Sequence, residues 1–148
     1  MIRIERIGGL ENVQIGKVLA SPEIFGYRNK MEFSFNVHPE SGFTLGLHRR
    51  KSYADIFDLT ECHLPAEIFS SIVQWFREYV ERNQISVYDV ENHDGYMRFL
   101  VIRQAKKTND LMINIVTNNG EFPNVDALVS EMTSQFSKIT TIVHNQNG

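Results

Sequence analysis

One stretch sets the architecture of the chain: Phe25-Gly26-Tyr27-Arg28-Asn29-Lys30-Met31-Glu32-Phe33-Ser34-Phe35. From Met31 onward, apolar side chains recur at every second position, through Phe33 and Phe35 to Val37. This period is typical of a β-strand that buries one face and exposes the other. Gly26 stands before the strand at a position that suits a tight turn. The stretch therefore predicts a turn that leads directly into an amphipathic strand.

Two cations, Arg28 and Lys30, stand where this strand begins. A guanidinium binds two phosphate oxygens at once and an ammonium adds a point charge, so the pair suits a polyanion held against a rigid sheet edge. Cations at strand ends also serve simply as solvated ends or as protection of an edge. The residues alone leave both interpretations open.

Further alternating runs extend the first strand into a three-stranded antiparallel unit. The predicted strands cover Met31–Val37, Phe43–His48 and Tyr53–Leu59. The first two are joined by a five-residue loop rich in turn formers, which is a hairpin signature. A hairpin brings the start of its first strand beside the end of its second. Arg28 and Lys30 are therefore expected to share one end of the sheet with Arg49 and Arg50.

Two helices are predicted from apolar side chains at helical spacing, over Pro65–Arg82 and over about Asn124 to Phe136. The other strand candidates are Val87–Val90, Tyr96–Gln104, Leu111–Thr117 and Ile139–His144. The order β-β-β-α-β-β-α-β predicts the α+β class, with an antiparallel β-sheet of hairpins packed with two main helices. At the start of the chain, Ile2–Leu10 indicates the tail of a helix or an unstable terminal piece.

Length and composition indicate one ordinary globular domain. The 148 residues are 42% hydrophobic and 22% charged, and a chain of this size buries about two thirds of its unfolded surface. The chain lacks an apolar run of membrane-spanning length and the apolar core of a secretion signal, so we expect no membrane partner and a cytoplasmic location. Its single cysteine, Cys62, excludes an internal disulfide and a metal site made only of this chain's cysteines.

The charge of the chain is unevenly distributed. A net charge of −3 argues against a strong free-standing nucleic-acid binder, because such affinity comes from cations that displace counterions. Residues 26–51, however, contain five Lys or Arg and two carboxylates, a local charge of +3, which leaves −6 for the rest of the chain. A basic face on an acidic body is therefore expected.

Reactive or metal-binding chemistry has few candidates in this sequence. Cys62 lies between a strand and the start of a helix, where the helix dipole favours a thiolate, but an inert, partly buried thiol has the same context. The histidines His48, His63, His93 and His144 lack the short, regular spacing of a zinc motif, so no zinc site is predicted. No carboxylate dyad or phosphate-cradling glycine loop is predicted either.

Arg98 and Arg103 flank the apolar run Phe99–Ile102. An arginine within such a strand must reach solvent or find a partner, because an unpaired buried cation is prohibitively costly. One interpretation pairs the two arginines with nearby acids, Asp89, Glu91 or Asp94. The other makes them part of a surface that binds an anion.

Five blocks of sequence, taken in order, resemble one known family. They are Tyr27 to Phe35, Leu45 to His48, Asp58 to Leu64, Gly95 to Arg103 and Ile142 to Asn147. In this order they resemble the middle of an RNA uracil-5-methyltransferase of the 23S rRNA type. The resemblance covers Ile15 to Gly148.

The resemblance implies that residues 1–148 are the single central domain of a larger methyltransferase. In that family an N-terminal OB-like RNA-binding domain and a C-terminal Rossmann-like catalytic domain flank this part, and both are expected to be absent here. A cysteine thiolate attacks C6 of uridine, the methyl group of S-adenosylmethionine passes to C5, and a glutamate removes the proton. Neither that cysteine motif nor a glycine-rich cofactor turn occurs in these residues, so the resemblance implies no catalytic residue and no cofactor in this chain, which should be inactive alone.

The same resemblance implies sites and partners. Cys62 occupies the position of the fourth cysteine ligand of an iron–sulfur cluster that some members carry, a role it could have only in the larger protein. The candidate RNA-binding residues are Arg28, Lys30, Arg49 and Arg50 from the basic region, with Arg98 and Arg103 from the implied RNA-facing sheet. The expected partners are RNA, with 23S rRNA first, and the chain's own missing domains in cis. A stand-alone small RNA-binding module and a structural or protein-interaction domain remain the alternatives.

Overall fold

A computed structural model describes residues 6–148, so the first four residues of the predicted helical tail over Ile2–Leu10 lie outside the described residues. The strands are β1 (Lys30–His38), β2 (Gly42–His48), β3 (Ile56–Asp58), β4 (Met97–Gln104), β5 (Leu111–Thr117) and β6 (Ile139–Gln146). The main helices are α1 (Ile68–Arg82) and α2 (Val125–Gln135). The predicted order of elements and the α+β class are confirmed. Neither helix in this part of the chain is long and apolar enough to cross a membrane.

All six strands form one sheet in the order β3-β2-β1-β4-β5-β6. Neighbouring strands are antiparallel except β5 and β6, which run parallel, so the sheet is mixed and not made of hairpins alone. The reason is the chain path between β5 and β6. Helix α2 crosses back over the sheet there, and a crossover returns the chain in its original direction, as parallel strands require.

Three local features differ from the sequence-based expectation. The β1–β2 loop has three residues, 39–41, because both strands extend further than their apolar alternation. Strand β3 is confined to Ile56–Asp58, because the residues before it form a turn. In this turn the Asp55 N–H donates a hydrogen bond to Ser52 Oγ, and Arg49 Nε donates one to the Asp55 carboxylate. Val87–Val90 contributes only single bridges. A turn closed by the Asp89–Asp94 bridge interrupts that pairing.

The two faces of the sheet have different surroundings. Phe33 on β1 and Leu100 on β4 are fully buried in one core with Ile72 and Phe76 of α1, and Met132 of α2 belongs to the same cluster. Each such side chain contributes about 1.5–3 kcal/mol through removal of its apolar surface from water. The alternate positions of these strands point away from both helices. Within residues 6–148 no helix covers that second side, which we call the open face.

Candidate nucleic-acid interface

The open face carries a shallow groove of about 340 Å³ across β1, β4, β5 and β6. Its lining residues are Lys30, Glu32, Phe99, Val101, Arg103, Met112, Asn114, Val116, Asn145 and Asn147. The groove therefore combines cations, apolar side chains and amides on one rigid sheet.

Lys30 and Arg103 lie directly opposite one another on β1 and β4. Like charges at such a cross-strand position destabilise a sheet, so their placement is not explained by stability. The Lys30 Nζ atom lies 3.7 Å from a carboxylate oxygen of Glu32, an exposed pair that neutralises little. Among residues 6–148, Arg103 has no carboxylate partner. The pair is thus available to an anion that reaches the open face.

A second groove of about 390 Å³ adjoins the first at this end of the sheet and is also lined by Lys30 and Arg103. A third cation stands close by, since Lys106 Nζ donates a hydrogen bond to the carbonyl of Gly26. The turn before β1 therefore ends beside the β4–β5 loop. The cations of this corner come from two parts of the chain, which the sequence spacing does not show.

Away from the cations, the groove offers apolar surface and an unused acceptor. Val101 and Val116 are each 6% exposed although no helix within residues 6–148 covers them. Phe99 on β4 is half-buried and lies directly opposite Val116 on β5. The buried Oδ1 atom of Asn114 accepts no hydrogen bond from residues 6–148. Apolar rings with free amide groups suit unpaired bases, which stack and hydrogen-bond at their edges.

Arg28 and Arg49 are held by other groups. The backbone N–H of Arg28 donates to the carbonyl of Leu64, beside the start of α1, and its guanidinium lies 3.6 Å from Met31 Sδ. Arg49 Nε lies 3.3 Å from an Asp55 carboxylate oxygen, and the guanidinium stacks on the Phe57 ring. The antiparallel register of β1 and β2 does place both cations at one end of the sheet, as expected.

Arg50 and Arg98 complete the predicted set. Arg50 is exposed in the turn after β2. The Arg98 guanidinium lies 4.5 Å from the centre of the Tyr88 ring and donates to the carbonyl of Asn147. No ion pair joins Arg98 to a carboxylate within residues 6–148, so the interpretation with Asp89, Glu91 or Asp94 as its partner does not describe this site.

The Asp89 carboxylate accepts hydrogen bonds from residues of its own turn. Hydrogen bonds from the Asn92 side chain and from the backbone N–H groups of Glu91 and Asn92 hold the pKa of this carboxyl below its ordinary value. These bonds fix the turn that follows Tyr88 and leave the aromatic ring, not the carboxylate, to meet Arg98. Arg98 thus contacts the Tyr88 ring and not one of the acidic residues near it in the sequence.

Cys62 lines a separate cavity of about 770 Å³ at the start of α1. The thiol is free and partly buried, and the Cys62 N–H donates to Ser70 Oγ over 3.1 Å. No cluster of three His, Cys, Asp or Glu side chains able to hold a metal occurs among the described residues. The residues present thus do not form an iron–sulfur site, because this chain supplies one thiolate where a cluster takes four ligands.

One polar arrangement on the open face was missed by sequence reasoning, which considered His48 only as a zinc ligand. Ser34 Oγ and His48 Nε2 are 2.8 Å apart, and His48 Nδ1 is 2.7 Å from the carbonyl oxygen of Tyr53. The available signal was the hairpin register, which pairs Ser34 with Gly46 and so places His48 nearby on the same face. These hydrogen bonds lie on the part of the open face formed by β1 and β2, on the opposite side of the sheet from β6.

Comparisons with known proteins give consistent relatives. No model of a protein family matches the chain. The chain is 33% identical over 141 residues to an uncharacterized RNA methyltransferase of Caldanaerobacter subterraneus, which covers 94% of this chain and 31% of the relative. It is also 33% identical over 119 residues to a tRNA (uracil(54)-C(5))-methyltransferase of Pyrococcus horikoshii, covering 80% of this chain and 28% of the relative.

A solved structure has the same fold. The tRNA (uracil-54, C5)-methyltransferase of Pyrococcus abyssi, in complex with S-adenosyl-L-homocysteine, aligns with a TM-score of 0.68 and 24% identity. The alignment covers 86% of this chain and 29% of that one. The homologues are thus RNA methyltransferases, and the chain spans about a third of the length of the curated relatives it matches.

Proposed function

We propose that this chain is the RNA-positioning central domain of an S-adenosylmethionine-dependent RNA uracil-5-methyltransferase that acts on 23S rRNA in the cytoplasm. The observation that carries the proposal is the sequence alignment with RNA methyltransferases. Nearly the whole chain aligns with about a third of the length of each relative. The open face supports it physically, because its cations, rings and free amides are the groups that hold unpaired RNA.

In this proposal Lys30 and Arg103 neutralise phosphates while the apolar floor of the groove contacts bases. The two cations face an anion from adjacent strands of a rigid sheet. The planar guanidinium of Arg103 loses less side-chain freedom per hydrogen bond formed than the Lys30 ammonium does. Arg28 and Arg50 extend the basic end, and Arg98 reaches the open face beside Phe99. Phosphate contacts fix the position of the RNA, and the methyl transfer takes place in another domain.

The cofactor and the catalytic groups come from outside this chain in the proposal. S-adenosylmethionine supplies the methyl group when bound by the catalytic domain. Cys62 could add one ligand to an iron–sulfur cluster whose other ligands come from outside these residues. The chain alone should therefore transfer no methyl group. Incubation with labelled S-adenosylmethionine and unmodified 23S rRNA checks this expectation, and incorporation above a heat-treated control would contradict it.

RNA binding by the open face is tested with a double variant. For wild-type chain and a short single-stranded RNA, the logarithm of the binding constant should fall with the logarithm of salt concentration by about 0.7 per neutralised phosphate. Lys30→Ala with Arg103→Ala should make this slope shallower by about 1.4 if each residue neutralises one phosphate. Lys17→Ala with Lys138→Ala removes two exposed cations that line neither groove and is the matched control. Equal slopes for all three proteins would contradict the proposal.

The rRNA substrate requires a separate comparison, because named relatives act on tRNA. We expect the chain to bind a 23S rRNA fragment more tightly than an unmodified tRNA at equal salt. Competition of the two RNAs for one labelled RNA measures the difference directly. Tighter binding of the tRNA would replace the rRNA substrate with tRNA and leave the RNA-binding role intact.

A further inference from the structure

A small, comparatively closed cavity of about 200 Å³ lies on the open face beside the groove. It is lined by Glu32, Ser34, Phe35, His48, Tyr53, Ile56, Tyr88, Val90, Arg98 and Phe99. We call it the Tyr88 cavity. Its lining comes from β1, from the stretch between the end of β2 and the start of β3, from the segment between α1 and β4, and from β4 itself. The cavity is therefore assembled from four separate parts of the chain.

Aromatic rings form much of this wall. Tyr53, Tyr88 and Phe99 line the cavity, and the ring of His48 stacks on that of Tyr53 with centres 5.7 Å apart. The Arg98 guanidinium lies over Tyr88 and also within 5.8 Å of the Phe99 ring centre. Planar walls of this kind accept a flat ring, and arginine planes stack on bases as aromatic rings do.

Hydrogen-bonding roles in the cavity follow from its fixed bonds. The carbonyl of Tyr53 can only accept, so the neutral His48 ring carries its proton on Nδ1. His48 Nε2 is then an acceptor, and the Ser34 hydroxyl donates to it. The lone pairs of Ser34 Oγ remain as acceptors. Ser34 is 4% exposed, so this orientation is set by the fold.

The remaining polar groups have opposite roles. The Glu32 carboxylate only accepts, whereas the Arg98 guanidinium only donates. The buried Nε of Arg98 has no hydrogen-bond partner among the described residues. A ligand of this cavity must therefore be flat, with N–H donors on one edge and acceptors on the adjacent edge.

We propose that the Tyr88 cavity binds one unpaired guanine base of the RNA, an inference that rests on the proposed function. Guanine has adjacent donors at N1 and N2 for Glu32 and Ser34, and acceptors at O6 and N7 for Arg98. Uracil has one ring N–H, and adenine and cytosine each have a single amino group on the edge that Glu32 would meet. A bare phosphate fits poorly, because Glu32 would repel it.

The test compares short oligonucleotides that differ at one base. Fluorescence anisotropy measures binding of the wild-type chain to an all-uridine RNA and to the same RNA with one central guanosine. We expect the guanosine RNA to bind on the order of tenfold more tightly. Inosine lacks the N2 amino group and should lose much of the preference. Equal affinity for the uridine and guanosine RNAs would overturn the guanine site while leaving the proposed RNA-binding role standing.

Variants locate the preference within the cavity. Glu32→Ala and Ser34→Ala should each bring the guanosine-to-uridine affinity ratio close to one, because each removes one acceptor, and thermal melts confirm that they are folded. Ser130→Ala removes an exposed hydroxyl on α2, outside the cavity and both grooves, and should keep the ratio. Lys30→Ala with Arg103→Ala should weaken both RNAs alike. A preference that persists in folded Glu32→Ala and Ser34→Ala proteins would overturn the assignment.

Discussion

The two faces of β1 carry opposite kinds of side chain within one strand. Met31, Phe33 and Phe35 on the helix side are at most 3% exposed, whereas Lys30 and Glu32 on the open face have side chains about half exposed. On the helix side each residue is held by close packing, and its substitution should cost stability. The open face instead places two cations opposite one another at some cost to the sheet. The difference separates the residues that make the fold from those available for binding.

The largest effect is expected for a matched pair of phenylalanine truncations. Phe33→Ala removes a fully buried ring from the core, which should cost about 3–5 kcal/mol of unfolding free energy. Phe99→Ala on the open face removes a half-buried ring and should cost clearly less. Urea denaturation of both variants measures the two values. Equal costs would contradict the assignment of one face to stability and the other to binding.

A smaller effect is expected where α1 is tied to the sheet. Asp58 Oδ1 accepts a hydrogen bond from the Leu45 N–H at 2.9 Å and forms an ion pair with Arg77, whose Nη2 atom lies 2.7 Å away. Asp58→Ala leaves the Leu45 N–H without this acceptor and Arg77 without its ion-pair partner, and it should cost about 1–3 kcal/mol. The exposed pair of Asp55 with Arg49 is the control, and Asp55→Ala should cost under about 1 kcal/mol. Denaturation midpoints that fall in the reverse order would refute this account.

The cation pair should affect stability least among the sheet positions. Removal of Lys30 and Arg103 relieves a like-charge contact, so the double alanine variant should stay within about 0.5 kcal/mol of wild type or be slightly more stable. Its RNA affinity should nevertheless fall. Thermal melts and RNA titrations on the same samples measure both effects. A strongly destabilised variant would show that Lys30 and Arg103 contribute to the stability of the fold, contrary to this prediction.

The weakest effect concerns the turn behind the Tyr88 cavity. The lowered pKa of Asp89 means that its ionised form stabilises the fold at pH above the ordinary value of 3.8, and this contribution disappears as pH falls through the lowered pKa. Asp89→Asn should therefore lower the melting temperature slightly near neutral pH. The difference from wild type should shrink in acid. A difference that grows as pH falls would show the opposite sign of linkage.

Much of the fold was predictable because its elements have strong local patterns. The alternation in β1 and the apolar stripe of α1 each fixed an element within one to three residues of its observed bounds. The parallel pairing of β5 with β6 was not predicted. It depends on how α2 packs across the sheet, and no local period records that path.

The candidate site was less predictable for the same reason. Charges that are adjacent on the chain suggested one basic cluster. In the structure Arg49 forms an ion pair with Asp55, and the cation next to Lys30 on the neighbouring strand is Arg103, far along the sequence. Their proximity results from the pairing of β1 with β4. The Tyr88 cavity likewise requires side chains from four segments. Neither the proximity of Lys30 to Arg103 nor the Tyr88 cavity can be read from the spacing of residues in the sequence.

The most direct test of the central claim is to map the RNA contact on the isotope-labelled chain by NMR. Chemical shifts are recorded while a short single-stranded RNA is added at low salt. The account predicts that the largest changes occur at open-face residues such as Lys30, Val101, Arg103 and Asn114. Changes concentrated on the outer surfaces of α1 and α2, with the open face unaffected, would contradict it.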